Sequence, residues 1–269
     1  MSDRRDDMNI AVFDLETNGM MGSSVLSASS LVFDANGALL GLFNRFYLPR
    51  EPHDFYTARI HGLTPARLTA LRAAIPAPLH FLEDCPGLLN FWEDFDVAGV
   101  VVHNLTFDTS FLPEIAQRSF RWWCSMRGLT SYCAIPGRPG NARRGKSRFK
   151  WPKLEEAVDI LCNGPESLEP PDATARIERA MSGLQSHISL CDCFDLYRVV
   201  VRVARHHPEL LNFAGHVVSF CAPPGRNSIE NSIEKTTGRV AVRDSQAVPP
   251  HDEFTVGILK CEQKLRSVI

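Results

Sequence analysis

The sequence has no long apolar run and no excess of positive charge. None of its apolar stretches reaches the roughly 18 residues that a membrane-spanning helix requires, and its first residues are charged, so neither membrane insertion nor secretion is expected. The formal net charge is -2 and the isoelectric point is near 6.5, so the chain as a whole does not attract a polyanion. Any nucleic-acid binding must therefore come from a local basic patch.

Paired metal-binding cysteines are also missing. The eight cysteines lie in unrelated surroundings, and none forms the Cys-x-x-Cys spacing of a structural zinc site. Free thiols in a reducing compartment are the expected state, and we predict a cytoplasmic protein. Internal repeats are absent as well, which excludes solenoid folds.

Three short strands open the predicted fold. Buried-strand patterns occupy residues 10–13, 25–33 and 39–47, with a turn signal at residues 34–37. Helical and strand patterns then alternate, beginning with a helix from Thr64 to about Ala74 that has Thr64 as its N-cap. A three-strand antiparallel meander continued by α/β units predicts an α/β fold with a ribonuclease-H-like mixed sheet flanked by helices.

Helical and strand patterns continue to alternate along the chain, and they become weaker beyond Pro208. Helices are expected at residues 79–95, 106–117, 125–132, 152–161, 174–181 and 188–204, and strands at 99–102 and 121–124. Beyond Pro208 the sequence is linker-like, with two short strand patterns at Arg239–Val242 and Phe254–Leu259. We therefore predict a main domain over residues 1–206 and a C-terminal extension of unknown role over residues 207–269.

Acidic residues stand at the end of a strand or the start of a helix in three separate segments. Asp14 and Glu16 are two apart on a strand, so their side chains point to the same face. Asp108 lies in the first turn of a helix that follows a buried strand, where its alternative role is to offset the helix dipole. His187 and Asp192 are five apart, about 140° on a regular helix, which places His187 in the loop before the helix.

These residue types suit metal-dependent phosphodiester chemistry. Carboxylate oxygens bind hard cations such as Mg²⁺ or Mn²⁺, and two such ions about 3.5–4 Å apart can activate water and stabilise the leaving oxygen. A charged pair that closes a buried strand is costly to desolvate without a cation. A solvent-facing histidine suits a general base for the attacking water, although a loop histidine without a role is the alternative. The residues thus favour a nuclease.

The three segments, in this order, resemble the DEDDh (DnaQ-like) 3′→5′ exonuclease family of the ribonuclease-H-like superfamily. The family's first, second and third motifs are matched by Asp14 and Glu16, by Asp108, and by His187 and Asp192. Two further segments, Ile60–Thr64 and Lys150–Leu154, agree with the family, and the resemblance covers roughly residues 9–205. Two departures are Ser189 and Cys193, which stand where the family usually has alanine.

The resemblance implies roles for individual residues. It makes Asp14, Glu16 and Asp192 direct ligands of two Mg²⁺ or Mn²⁺ ions, has Asp108 complete the site directly or through water, and makes His187 the general base. It also places four residues in the pocket for the terminal nucleotide: Thr17, His61, Asn104 and Phe107. It makes residues 1–206 the exonuclease domain, and it implies single-stranded 3′ ends as the substrate, with a polymerase or a repair protein as a candidate partner.

The segment from Arg138 to Lys153 is strongly basic. It holds seven Lys or Arg residues and no acidic residue, and Phe149 and Trp151 are interleaved among them. Such a loop suits a single strand, because base stacking is worth about 1–3 kcal/mol per base. The predicted contacts to the strand are Arg143, Arg144 and Lys146. A solvated basic loop without a ligand is the alternative.

Three functions remain open on the sequence alone. The leading one is a metal-dependent 3′→5′ exonuclease on DNA, in proofreading or repair; RNA is the alternative substrate, because discrimination of the 2′-hydroxyl depends on pocket detail. A second is a catalytically inactive nucleic-acid-binding or interaction subunit, which the loss of any one of the five motif residues would have favoured. A third is a small-molecule phosphohydrolase, which leaves the basic segment without a purpose.

Overall fold

The computed structural model describes residues 9–137, 148–181, 188–213 and 252–269. Its centre is a five-stranded sheet whose strands are β1 (Asn9–Thr17), β2 (Val25–Phe33), β3 (Leu39–Phe46), β4 (Val97–Val102) and β5 (Trp122–Cys124). The order is β3-β2-β1-β4-β5; β1–β2 and β2–β3 are antiparallel, and β1–β4 and β4–β5 are parallel. The predicted ribonuclease-H-like mixed sheet is confirmed.

Helices flank this sheet. Within the described residues they are α1 (Phe55–His61), α2 (Pro65–Ala74), α3 (Phe81–Asp94), α4 (Leu105–Asp108), α5 (Glu114–Ser119), α6 (Ser125–Gly128), α7 (Thr130–Cys133), α8 (Leu154–Val158), α9 (Asp172–Met181), α10 (Ser189–His206) and α11 (Glu253–Arg266). A π-helical turn, Asp159–Asn163, continues α8, and short 3-10 turns occupy Thr109–Phe111 and Pro208–Leu210. None of the helices described has the length and apolarity to cross a membrane.

Helix starts follow their capping residues. The predicted start of α2 is confirmed, since Thr64 Oγ1 accepts the N–H of Arg67 at 3.4 Å and Pro65 is the first helical residue. The sequence pattern does not predict α1, a short helix that Asp54 caps by accepting the N–H of Tyr56 at 2.7 Å. Gly62 ends α1 in the left-handed conformation, with φ of 76°.

Two predicted helices are wrong as continuous elements. Residues 106–117 divide into α4, a 3-10 turn and α5, because Pro113 has no N–H to donate and forces Leu112 out of the helical region, to ψ of 142°. Residues 125–132 likewise divide into α6 and α7 at Leu129.

The pleat of β1 determines which side chains face α10. Odd-numbered residues from 11 to 15 join the apolar core beneath α3, whereas Ile10 and Val12 join the core beneath α10. Asp14 and Glu16 continue the second series, because side chains alternate between the two faces of a strand. The two carboxylates therefore point towards the helix that carries Asp192.

The predicted strand at Phe254–Leu259 is wrong, because these residues lie in α11. Asp252 caps this helix by accepting the N–H of Thr255 at 2.7 Å, and its side chain also pairs with Arg67 of α2. The helix packs on α2, α9 and β3 and adds three buried side chains to the core beneath α10: Ile258, Cys261 and Leu265. The other predicted strand, Arg239–Val242, lies outside the described residues.

Candidate metal centre

Three carboxylates converge where β1 ends and α10 begins. Asp14 and Glu16 lie on one face of β1, and Asp192 lies in the first turn of α10, where its N–H donates to the carbonyl of Ile188 at 3.0 Å. One carboxylate oxygen from each of the three lies within 4.8 Å of the other two. The packing of α10 across β1 and β2 produces this convergence of residues that are far apart in the chain.

Asp108 lies near these three carboxylates but is not one of the residues whose oxygens lie within 4.8 Å of one another. It is buried at the end of α4, and its N–H donates to the carbonyl of Asn104 at 3.1 Å. Burial and, to a smaller extent, the charge of Asp192 raise the pKa of Asp108 to about 7, against the opposing effect of nearby backbone N–H groups. Asp108 is thus close enough to the other carboxylates to interact with their charge.

The same crowding acts on the strand carboxylates. Burial, and then the charges of Asp192 and Asp108, hold the pKa values of both Asp14 and Glu16 well above their ordinary values, and Glu16 also raises the pKa of Asp14. Within the part of the chain described here, no basic side chain forms an ion pair with Asp14, Glu16 or Asp108. An all-oxygen anionic group of this kind fits hard divalent cations such as Mg²⁺ or Mn²⁺.

This electrostatic arrangement predicts how the metal-free protein responds to pH. A carboxyl whose pKa is raised on folding stabilises the fold below its unfolded pKa of about 4, and that contribution is lost as pH rises through the folded value, about 7 for Asp108. In EDTA the thermal midpoint should therefore be several degrees lower at pH 8 than at pH 6, since ~1 kcal/mol shifts it by about 2–4 °C in a domain of this size.

Thermal unfolding with and without Mn²⁺ measures this effect. The cation should raise the midpoint strongly at pH 8 and little at pH 5, and Asp108→Asn should reduce the pH dependence in EDTA. If the midpoint in EDTA is the same at pH 6 and pH 8, these carboxyls do not repel one another as the geometry implies.

The four residues predicted to line a nucleotide pocket lie in different environments. Thr17 is buried next to the carboxylates, with its hydroxyl donating to the carbonyl of Gly19 at 2.6 Å. Asn104 is exposed at the start of α4, and Phe107 is half-buried in edge-to-face contact with Phe111, with ring centroids 5.1 Å apart. Their placement in a nucleotide pocket stays a prediction.

His61 is buried and neutral. Its Nδ1 accepts the N–H of Leu63 at 3.0 Å, so Nε2 carries the proton. Burial lowers the pKa of His61 to about 4, although the carbonyl of Thr17 opposes the shift. His61 and Thr17 are therefore neighbours, as a shared pocket requires.

The remaining predicted site residues cannot be placed. His187 lies outside the described residues, which resume at Ile188, and so do Arg143, Arg144 and Lys146. The base of the basic segment is described: the backbone N–H of Gly137 donates to Arg148 and that of Lys150 to Ile135, each at 2.9 Å. Beside it, the Arg127 guanidinium lies 4.8 Å from the ring centroid of the exposed Trp151.

Two buried or half-buried polar residues, Asn18 and His103, support the site although no sequence motif assigns them a role. Asn18 is buried; its amide donates to Glu51 and to the carbonyl of Pro52, and its oxygen accepts the N–H of Asp54, which fastens the approach to α1 against the end of β1. His103 contacts Ser125 Oγ at 2.9 Å and the carbonyl of Pro152 at 3.1 Å.

Burial lowers the pKa of His103 to about 4. This neutral side chain joins the end of β4 to Pro152, near the C-terminal end of the basic segment. In the sequence, the only signal for Asn18 and His103 is that each follows directly after a buried strand.

Comparisons with known proteins find solved exonucleases of related architecture. No protein-family model and no curated protein sequence matches the chain. Exonuclease X in complex with 5′ overhanging duplex DNA is 18% identical with a TM-score of 0.47, over 74% of this chain and 93% of that chain. Exonuclease I from Methylocaldum szegediense is 20% identical with a TM-score of 0.38, over 77% of this chain and 42% of that chain.

E. coli exonuclease I in complex with a dA16 oligonucleotide is 15% identical with a TM-score of 0.43, over 76% of this chain and 42% of that chain. The chain thus spans less than half the length of these two exonuclease I chains. All three identities are below 25%, and all three TM-scores are below 0.5.

Proposed function

We propose that the chain is a metal-dependent 3′→5′ exonuclease that releases nucleoside monophosphates from the 3′ ends of nucleic acid. The observation that carries this proposal is the convergence of Asp14, Glu16 and Asp192, with Asp108 beside them, at one end of the sheet. These residues would hold two Mg²⁺ or Mn²⁺ ions. When bound, such ions stabilise charge on the attacking and leaving oxygens of a phosphodiester.

The chain's own residues then have separate tasks. The carboxylates of Asp14, Glu16, Asp108 and Asp192 bind the cations and fix their position, which requires them to be deprotonated. His187 would accept the proton of the attacking water. Thr17, His61, Asn104 and Phe107 would contact the terminal nucleotide, and the basic segment with Arg143, Arg144 and Lys146 would bind the strand through its phosphates.

DNA is proposed ahead of RNA as the substrate, with proofreading or repair as the setting. The alternative of an exoribonuclease differs only in how the pocket accommodates a 2′-hydroxyl. The alternative of an inactive nucleic-acid-binding subunit is not favoured by any of the described contacts, because a repulsive carboxylate group serves no purpose in binding a polyanion.

A cleavage assay tests the proposal directly. Purified protein is incubated with 5′-labelled single-stranded DNA, with duplex DNA that has a mismatched 3′ end, and with RNA, each in Mg²⁺, Mn²⁺ or EDTA. We expect stepwise shortening from the 3′ end that stops in EDTA. Products from internal cleavage only, or activity that persists in EDTA, would contradict the proposal, and the relative rates on the three substrates decide between DNA and RNA.

A further inference from the structure

A buried carboxylate on the terminal helix is connected by hydrogen bonds to the first turn of α10, which carries Asp192. Glu262 of α11 is 7% exposed, and its Oε2 accepts from Asn44 Nδ2 of β3 at 2.9 Å. Its Oε1 accepts from Arg266 Nε and Nη2 at 2.9 and 2.8 Å. Asn44 is itself fully buried, so the orientation of its amide is fixed by these partners.

The connection continues across the sheet in register. Ser29 Oγ of β2 donates to Asn44 Oδ1 at 2.9 Å, and the residue directly opposite Ser29 on β1 is Asp14. Ser189, the first residue of α10, has its Oγ 2.8 Å from the hydroxyls of both Ser29 and Ser27, and Ser27 lies opposite Glu16. The two serines that Ser189 contacts are thus the cross-strand neighbours of Asp14 and Glu16.

The direction of this chain of hydrogen bonds follows from its partners. A carboxylate accepts only, so Asn44 must present its amino group to Glu262 and its oxygen to Ser29. Ser29 then uses its single proton on Asn44, so Ser189 must donate to Ser29, and Ser27 must donate to Ser189. Glu262 therefore determines which group donates and which accepts in each hydrogen bond of this chain, from Asn44 to Ser189 in the first turn of α10.

The first turn of α10 carries Asp192, three residues after Ser189. A further contact holds the same turn, since Cys193 Sγ donates to the carbonyl of Ser29 at 3.0 Å. The terminal helix also lies next to this turn, because the Cys261 and Cys191 side chains belong to the same apolar cluster and are close enough to interact. The height and rotation of Asp192 relative to Asp14 and Glu16 are consequently fixed by contacts that lead back to α11.

We infer that α11 is a positioning element of the metal centre, and that Glu262 is a positioning residue acting through Asn44, Ser29 and Ser189. This inference rests on the proposed function only in that the carboxylates bind a metal. It gives the C-terminal helix a role in the site although none of its residues belongs to the carboxylate group.

Mn²⁺ binding measured by calorimetry tests the inference without requiring activity. Glu262→Ala and Ser189→Ala should each weaken Mn²⁺ binding by about 10-fold, as is usual for partners that orient metal ligands. The double variant should be no weaker than the single ones, because both substitutions interrupt one path. Glu262→Gln should restore most of the affinity, since its carbonyl oxygen can still accept from Asn44.

Asp252→Ala is the matched control, because Asp252 fastens the other end of α11 to Arg67 and does not contact Asn44 or Ser189. It should lower the thermal midpoint and leave the Mn²⁺ affinity unchanged. An unaltered affinity in Glu262→Ala, or additive losses in the double variant, would overturn the inference; if Glu262→Ala does not fold, Ser189→Ala and Glu262→Gln still decide it. A wild-type protein that binds Mn²⁺ but cleaves nothing would refute the proposed function and leave this inference standing.

Discussion

Asp14→Asn is expected to lower the single-turnover rate of 3′-end cleavage by about 10³-fold or more, which corresponds to about 4 kcal/mol in the activation barrier. The substitution keeps the size of the side chain and removes the negative charge with which Asp14 would hold a cation together with Glu16 and Asp192. The metal-free variant should at the same time be more stable than the wild type at pH 8, because burial and neighbouring carboxylates destabilise the ionised Asp14.

Because the cleavage rate should fall while the stability rises, the two measurements distinguish a loss of catalysis from a loss of folding. Single-turnover cleavage and thermal unfolding in EDTA are measured on the same preparation. Glu114→Gln is the control, since Glu114 is an exposed residue of α5 that pairs only with Arg118 among the described residues, and it should change neither quantity. Near-normal cleavage by Asp14→Asn would remove the metal assignment, and an equal loss in Asp192→Asn is required by the same geometry.

The sheet could be predicted because its signals are local. Residues 25–33 form β2 as predicted, and Thr64 and Pro65 mark the start of α2, because apolar periodicity and capping act over a few neighbouring residues. The break at Pro113 within residues 106–117 is equally local, because proline has no N–H to donate inside a helix.

The terminal helix shows where local signals mislead. Phe254, Thr255, Val256 and Ile258 are β-branched or aromatic, so residues 254–259 favour a strand by composition. The helix forms because one side of it is buried against α2, α9 and β3, and tertiary packing outweighs propensities worth only tenths of a kcal/mol per residue. No local window contains those partners.

In the candidate site, too, some features follow from local sequence and others depend on tertiary packing. Asp14 and Glu16 share a face by strand geometry alone, so their proximity follows from spacing. That Asp192 meets them depends on how α10 packs across the sheet, which the sequence pattern supports only through the family resemblance. The link from Asn44 to Glu262 joins residues 218 apart in the chain and has no sequence signal.

His187→Ala is expected to slow the chemical step by about 10²–10⁴-fold while leaving Mn²⁺ affinity unchanged, because a general base contributes that much through proton transfer and is not a metal ligand. His187 lies outside the described residues, and the next residue, Ile188, is buried, extended and joined through its carbonyl to the first turn of α10. Ile188 thus lies at the anchored N-terminal end of the helix that carries Asp192.

Single-turnover rates at saturating Mn²⁺, measured across pH with and without added imidazole, test this role. The wild-type rate should rise with pH as the imidazole of His187 loses its proton, and the variant should lack this rise and recover part of its rate when imidazole is added. His206→Ala is the control, because His206 is exposed at the opposite end of α10 and its side chain forms a hydrogen bond to the carbonyl of Glu169, far along the helix from Asp192. A parallel loss of Mn²⁺ affinity in His187→Ala would instead make His187 a ligand, and an unchanged rate would make it dispensable.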